Sequence, residues 1–375
     1  MAQIQFSGAE ARLIAAASVD VPAPVRDDPA ERLEFLTDCC ADLLRTEHFR
    51  GRRAILSLPA AYTFIQQLTV PTADDSHTRR AVIDAVRDYM PIDSDDTLIR
   101  HEPIEQSLAG RREVIAVGAA RSTVIEFLKS AQAAGLDVIA MKTEPSALTD
   151  FYLHTYRRYT DRHATTCLID LGYSGSRAFI LRDGKLVMAS ALPFGGRQLT
   201  EAVAVQLHIS PEAARMVRLK HSRGDATAVS MREQHVLYVA PPLNVDAPRQ
   251  DEHAAVEQAC HPIVRSLSQG LDRCRIDFES GDSGSRIDRL LFIGGESRDR
   301  RLCEGISRYL GITACTGDPL LRMGRISDVC VDSGIDRRQP QPAWAVAIGL
   351  SLGPEQTKHQ SETHATFARA ASWRE

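Results

Sequence analysis

Three glycine-containing turns, each standing where an apolar strand ends, constrain this chain more than any other feature of its sequence. The first is Asp170-Leu171-Gly172-Tyr173-Ser174-Gly175-Ser176, set between the apolar runs TTCLIDLG and RAFILRDG. A tight turn there exposes successive backbone N–H groups, and small residues let an anion such as phosphate come close to them. Asp170, at the end of its strand, could hold a Mg²⁺ ion through water. An ordinary Gly-Ser hairpin is the plainer reading of the same residues. The second turn, Gly195-Gly196, opens a helix about 20 residues further on. Helix N-termini attract anions through free N–H groups and the helix dipole, although a plain helix start is the commoner case. The third, Ile293-Gly294-Gly295-Glu296-Ser297, again leads from strand to helix. Its two glycines would let a flat group such as adenine or ribose lie against the backbone. No GxxxxGK[ST] run is present, which excludes a P-loop, and no complete GxGxxG supports a dinucleotide site of the Rossmann kind.

The rest of the chain frames these turns. At 375 residues it exceeds what one compact core usually holds, so two domains are expected. A net charge of -4 gives no reason to expect nucleic acid or a strongly anionic membrane as the main partner. The N-terminus has no basic-then-apolar leader pattern, and no run approaches the roughly 18 apolar residues of a membrane-spanning helix. A cytoplasmic protein is therefore expected. None of the eight cysteines form a Cys-x-x-Cys pair, which points to reduced, buried cysteines and away from a zinc site.

Periodicity predicts a hairpin over residues 2–20 and a helix over 31–48. Residues 54–136 read as a module of strand, strand, helix, strand, strand, helix, a small α+β unit inserted within a larger domain. A helix is expected over 145–158, then three strands from Thr165 with a hairpin signal at Asp183-Gly184. Helices follow Gly195-Gly196 through Lys220, then a polar stretch over 221–250 and a long helix over 251–278. A buried strand RLLFIGG, a helix at 298–309 and a final helix at 342–352 complete the pattern. Residues 353–375 lose periodicity and read as a mobile tail.

Taken in order, the three turns resemble the second half of the actin-like ATPase superfamily. Within it, the chain is most similar to the type IV pilus assembly PilM family, from about residue 3 to residue 352. SLPAAYTFIQQLTVP resembles the entry into that family's inserted 1C subdomain. DAVRDYMPID resembles the helix that follows, and AAGLDVIAMKTEPSAL the return to subdomain 1A. CLIDLGYSGSRAFILRDGKLV and SALPFGGRQLTEAVA resemble the phosphate hairpin and its next helix.

This resemblance implies an α/β, two-lobed actin-like fold built from ribonuclease H-like halves. Subdomain 1A would comprise 1–53 and 137–163, the inserted 1C subdomain 54–136, and the second lobe 164–352. It also implies ATP with Mg²⁺ as the candidate ligand. Its site would use Asp170, Gly172, Ser174, Gly175, Ser176, Gly195, Gly196, Arg215, Arg218, Gly294, Gly295 and Glu296, with Asp170 toward the metal.

Three departures stand out. MAQIQFSG matches only the second strand of the family's first phosphate hairpin, so the DxGxxxxK-like half of the cradle is expected to be missing. Arg215 and Arg218 stand where the family has an acidic residue and a lysine, and Glu296 stands in the usual Gly-Gly-Gly-Ala-like turn. The expected protein is a scaffold, recruited to the inner membrane by the tail of a PilN-like protein in a groove between 1A and 1C, binding nucleotide without chemistry. An active ATPase is the alternative, with an FtsA-like filament former or a sugar kinase behind it.

Overall fold

The computed structural model describes residues 1–375 except 9, 23–24, 26–27, 72–74, 90–95, 109, 223–249, 282–284, 325–334, 337 and 357–375. The polar 221–250 stretch, the end of DAVRDYMPID and the tail thus lie largely outside the described residues. The chain divides into two units. The first holds Met1–Arg157 together with the chain from Pro319; the second holds Arg158–Asp318.

In the first unit, β1 (Ala2–Ser7) and β2 (Glu10–Ala16) form the expected antiparallel hairpin, turning at Gly8 with φ +61°. Helix α1 (Pro29–Thr46) starts at Asp28, whose carboxylate accepts from the Ala30 and Glu31 N–H groups. β3 (Arg53–Ser57) then leads into the inserted module. There β4 (Phe64–Pro71), α2 (Asp75–Tyr89), β5 (Thr97–Leu108) and β6 (Arg111–Ala120) make an antiparallel sheet of order β4-β6-β5. Alternation along β4 and β6 turns Leu68, Val70, Val114 and Ala116 inward, where they meet Val82 and Val86 of α2.

The module closes with α3 (Arg121–Ala133), which ends before Gly135 at φ +85°, a left-handed position that glycine adopts without strain. β7 (Asp137–Lys142) then pairs in parallel with β3. The Asp137 N–H donates to the Arg52 carbonyl at 2.8 Å, so the module leaves the fold beside the point where it entered. Helix α4 (Glu144–Thr155) is shorter than expected. It stops at Tyr156, whose φ of -106° and ψ of 61° lie outside the helical region, and a separate short helix, α5 (Tyr159–His163), lies in the second unit.

The second unit is built on a five-stranded sheet. β8 (Thr166–Leu171), β9 (Ser176–Arg182) and β10 (Lys185–Leu192) run antiparallel in sequence order. Asp183 and Gly184 take φ values of 50° and 74°, the double positive-φ turn that the Asp-Gly pair signalled. Helices α6 (Gly196–Leu207), α7 (Pro211–Ser222) and α8 (Gln250–Gly281) follow. β11 (Arg289–Ile293) pairs in parallel with β8. After α9 (Arg300–Leu310), β12 (Ala314–Thr316) joins the far side, giving the order β10-β9-β8-β11-β12. Three antiparallel strands followed by two parallel ones are the ribonuclease H-like half of an actin-like fold.

One assignment shifts. The last helix, α10 (Ala345–Gln356), was expected within a second lobe over 164–352; instead it packs against α4 and β1 of the first unit. Gly349 permits this, because a Cβ there would collide with the Ala147 carbonyl of α4. Trp344, Ile348 and Leu352 join Leu13, Leu320 and Met323 in one buried cluster of that unit.

Candidate functional site

The sheet order of the second unit brings the three turns together. β8 lies beside β11 in register, with Asp170 opposite Ile293, so the turn after β8 and the turn after β11 emerge side by side. Gly294 has φ +89°, and a Cβ on it would collide with the Asp170 carboxylate and the Leu171 carbonyl. The helix start at Gly195-Gly196 is tied to the first turn. The Gly196 N–H donates to the Gly172 carbonyl at 3.0 Å and the Arg197 N–H to the Tyr173 carbonyl at 2.8 Å. The Gly172 N–H donates in turn to the Gly175 carbonyl at 3.1 Å, and the Gly195 N–H to Gln198 Oε1 at 3.0 Å. The Ser176 hydroxyl donates to the Phe194 carbonyl at 2.7 Å. Ser174 and Gly295 are exposed, and a Cβ on Gly295 would meet open space.

Arg218 and Glu296 converge as well, but on each other. Arg218 is 1% exposed; its Nη2 pairs with Glu296 and its Nη1 with Asp299 Oδ2 at 3.0 Å. Glu296 and Asp299 are buried too, at 5% and 6% exposure. Burial alone would lower the Arg218 pKa; the two carboxylates outweigh it and hold it above its ordinary value. The Glu296 carboxyl lies against Gly196, so close that a Cβ on that glycine would fall inside it. Arg215, one helical turn before Arg218, is half-buried, and its Nε has no hydrogen-bond partner among the described residues.

Asp299 belongs to this cluster and escaped the sequence reading. Its signal was there: Asp299 precedes the run RRLCEGISRYL, and its side chain caps α9 by accepting from the Leu302 N–H at 3.2 Å. A helix-capping aspartate is common enough that nothing local marked it as an ion-pair partner of a residue 81 positions earlier.

Asp170 sits under Gly294. Burial pushes its pKa up to about 6, against the opposing pull of Arg177, its partner across the β8–β9 pair. Among the described residues no group of three or more His, Cys, Asp or Glu side chains is placed to hold an ion. Beneath the turns, toward the helices, lies a cavity of about 10 Å³ lined by Leu171, Leu199, Ile263, Leu267, Leu302 and Glu296 among others, room for about one water.

Residues 3–231 match the family described as type IV pilus assembly protein PilM, and residues 167–349 match that of cell division protein FtsA. Two curated relatives are both described as cell division protein FtsA. The one from Rhizobium meliloti is 28% identical over 218 residues, covering 55% of this chain and 46% of the relative. The one from Staphylococcus epidermidis is 28% identical over 180 residues, covering 48% of this chain and 34% of the relative. The matches thus span less than half the length of these relatives. A solved structure described as a PilM-PilN type IV pilus biogenesis complex superposes with a TM-score of 0.71 at 20% identity, covering 94% of each chain. At that identity it shows the shared fold. Among the described residues, no helix is long and apolar enough to cross a membrane.

Proposed function

Since this chain belongs to the type IV pilus assembly protein PilM family, we propose that it is an assembly scaffold of a type IV pilus or related secretion machine. In this reading it lies in the cytoplasm, recruited to the inner membrane by the short cytoplasmic tail of a PilN-like membrane protein. The observation that carries the reading is the module over 54–136. It is a folded sheet-and-helix body, and both its ends sit at one parallel strand pair, β3 and β7. An extra body mounted on one strand pair, beside the helices of the same unit, is an arrangement suited to gripping a peptide. A contact between α1 and the module supports a defined wall: the Arg32 guanidinium lies over the Tyr62 ring at 5.0 Å, and within the module Tyr62 meets Phe127 edge-on at 5.3 Å.

Calorimetric titration with the tail peptide of a PilN-like partner tests this. The full chain should bind it. A chain in which residues 54–136 are replaced by a short Gly-Ser link between Arg53 and Asp137 should not. Unchanged binding by the shortened chain would remove the groove from the proposal.

ATP with Mg²⁺ is the second reading, favoured by the FtsA-type match over 167–349 and by the convergence of the three turns. The residues of the second unit do not fit that ligand as they stand. The N–H groups of Gly172, Gly195, Gly196 and Arg197 already donate within the turns, and Arg218 is committed to two carboxylates. Titration of the full chain with Mg·ATP should give no saturable heat, and a saturable response abolished by Asp170→Ala would restore the second reading.

A further inference from the structure

An anion already sits where the three turns converge, and it belongs to the chain. The Glu296 carboxyl lies directly against Gly196, the first residue of α6. Arg218 of α7 holds that carboxyl from its other side and reaches Asp299, which caps α9. The cluster contains one cation and two carboxylates, all at least nine-tenths buried. A buried excess of negative charge is costly unless fixed positive charge faces it. At Asp299 the N-terminal end of α9 supplies part of that charge, its Leu302 N–H donating to the carboxylate. An incoming phosphate would have to displace Glu296 and would then face Asp299 across the same guanidinium.

We propose that Glu296 is a built-in anion that fills the space where the three turns of the second unit converge, in place of a ligand's anionic group, with Arg218 as its clamp. The pair staples α6, α7 and α9 together without any nucleotide. Glu296 and Arg218 are thus structural replacements for a ligand, and the inference holds whether or not the chain grips a membrane protein's tail.

Chemical rescue tests it. Glu296→Ala removes the carboxyl and leaves an anion-sized space between Gly196 and Arg218. Thermal unfolding of the full chain is followed with added formate or inorganic phosphate, with chloride at equal ionic strength as the blank. The Glu296→Ala midpoint should fall, and formate or phosphate should restore a large part of the loss. Wild type should respond no more than to chloride, and so should Glu296→Gln, whose amide still fills the space. The proposal is overturned if wild type gains as much as the variant, or if the variant gains nothing beyond chloride. Should Glu296→Ala yield no folded protein, the Arg218 guanidinium N–H resonances of wild type decide. They should stay in place as phosphate or ATP is added, and a saturable shift overturns the assignment.

Discussion

Asp170 and His154 carry opposite pH signatures, and each follows from burial. Asp170 is pushed up to about 6 from an ordinary 3.8, so the folded chain holds its proton where the unfolded chain has lost it. Its favourable contribution is complete below pH 3.8 and disappears as pH rises through about 6, amounting to up to about 3 kcal/mol. Asp170→Asn should therefore be more stable than wild type above pH 6, with the advantage vanishing in acid, as read from thermal midpoints across that range. His154, on α4, is pressed down to about 4 by burial and by Arg157 and Arg322. There the folded chain binds fewer protons than the unfolded one. Stability is lost as pH falls from 6.5 toward 4, again by up to about 3 kcal/mol. His154→Gln should flatten that acid loss; an unchanged acid limb would show that His154 titrates in contact with water.

At the scale of elements, the close crossings rather than the element boundaries decide the outcome. α10 reaches α4 only because residue 349 has no side chain. Gly349→Val should push the two helices apart and cost about 1–3 kcal/mol or more, since the obstacle is backbone and cannot rotate away. Chemical denaturation should show a lower midpoint with an unchanged slope if the fold is otherwise kept. Strand register has the same force in the second unit. Pairing Asp170 with Ile293 is what sets Gly294 over the Asp170 carboxyl. Most single helices and strands were legible because period 3.6 and period 2 patterns act locally. The helix expected over 145–158 ends early, at Tyr156, beside the point where the chain passes from the first unit to the second, and no local pattern encodes that crossing.

At the scale of the whole molecule, the first unit is discontinuous in sequence and the second is continuous. A chain ending at Asp318 should therefore lose the buried cluster of Trp344, Ile348 and Leu352 and leave the first unit unfolded, while residues 158–318 keep a cooperative transition. Circular dichroism of the two truncated chains checks both outcomes; a fully cooperative chain ending at Asp318 would refute the first. The sequence by itself determined the alternation of strands and helices, the inserted module and the three glycine turns, because hydrophobic period and glycine placement are local properties of a chain. It also singled out Arg218 and Glu296, without pairing them. Only the tertiary structure decided that these two residues pair, that Asp299 joins them, and that the last helix returns to the first unit. Ion pairing across 78 residues and a helix seated on a distant backbone depend on which surfaces the fold buries together, and no spacing along the chain specifies that.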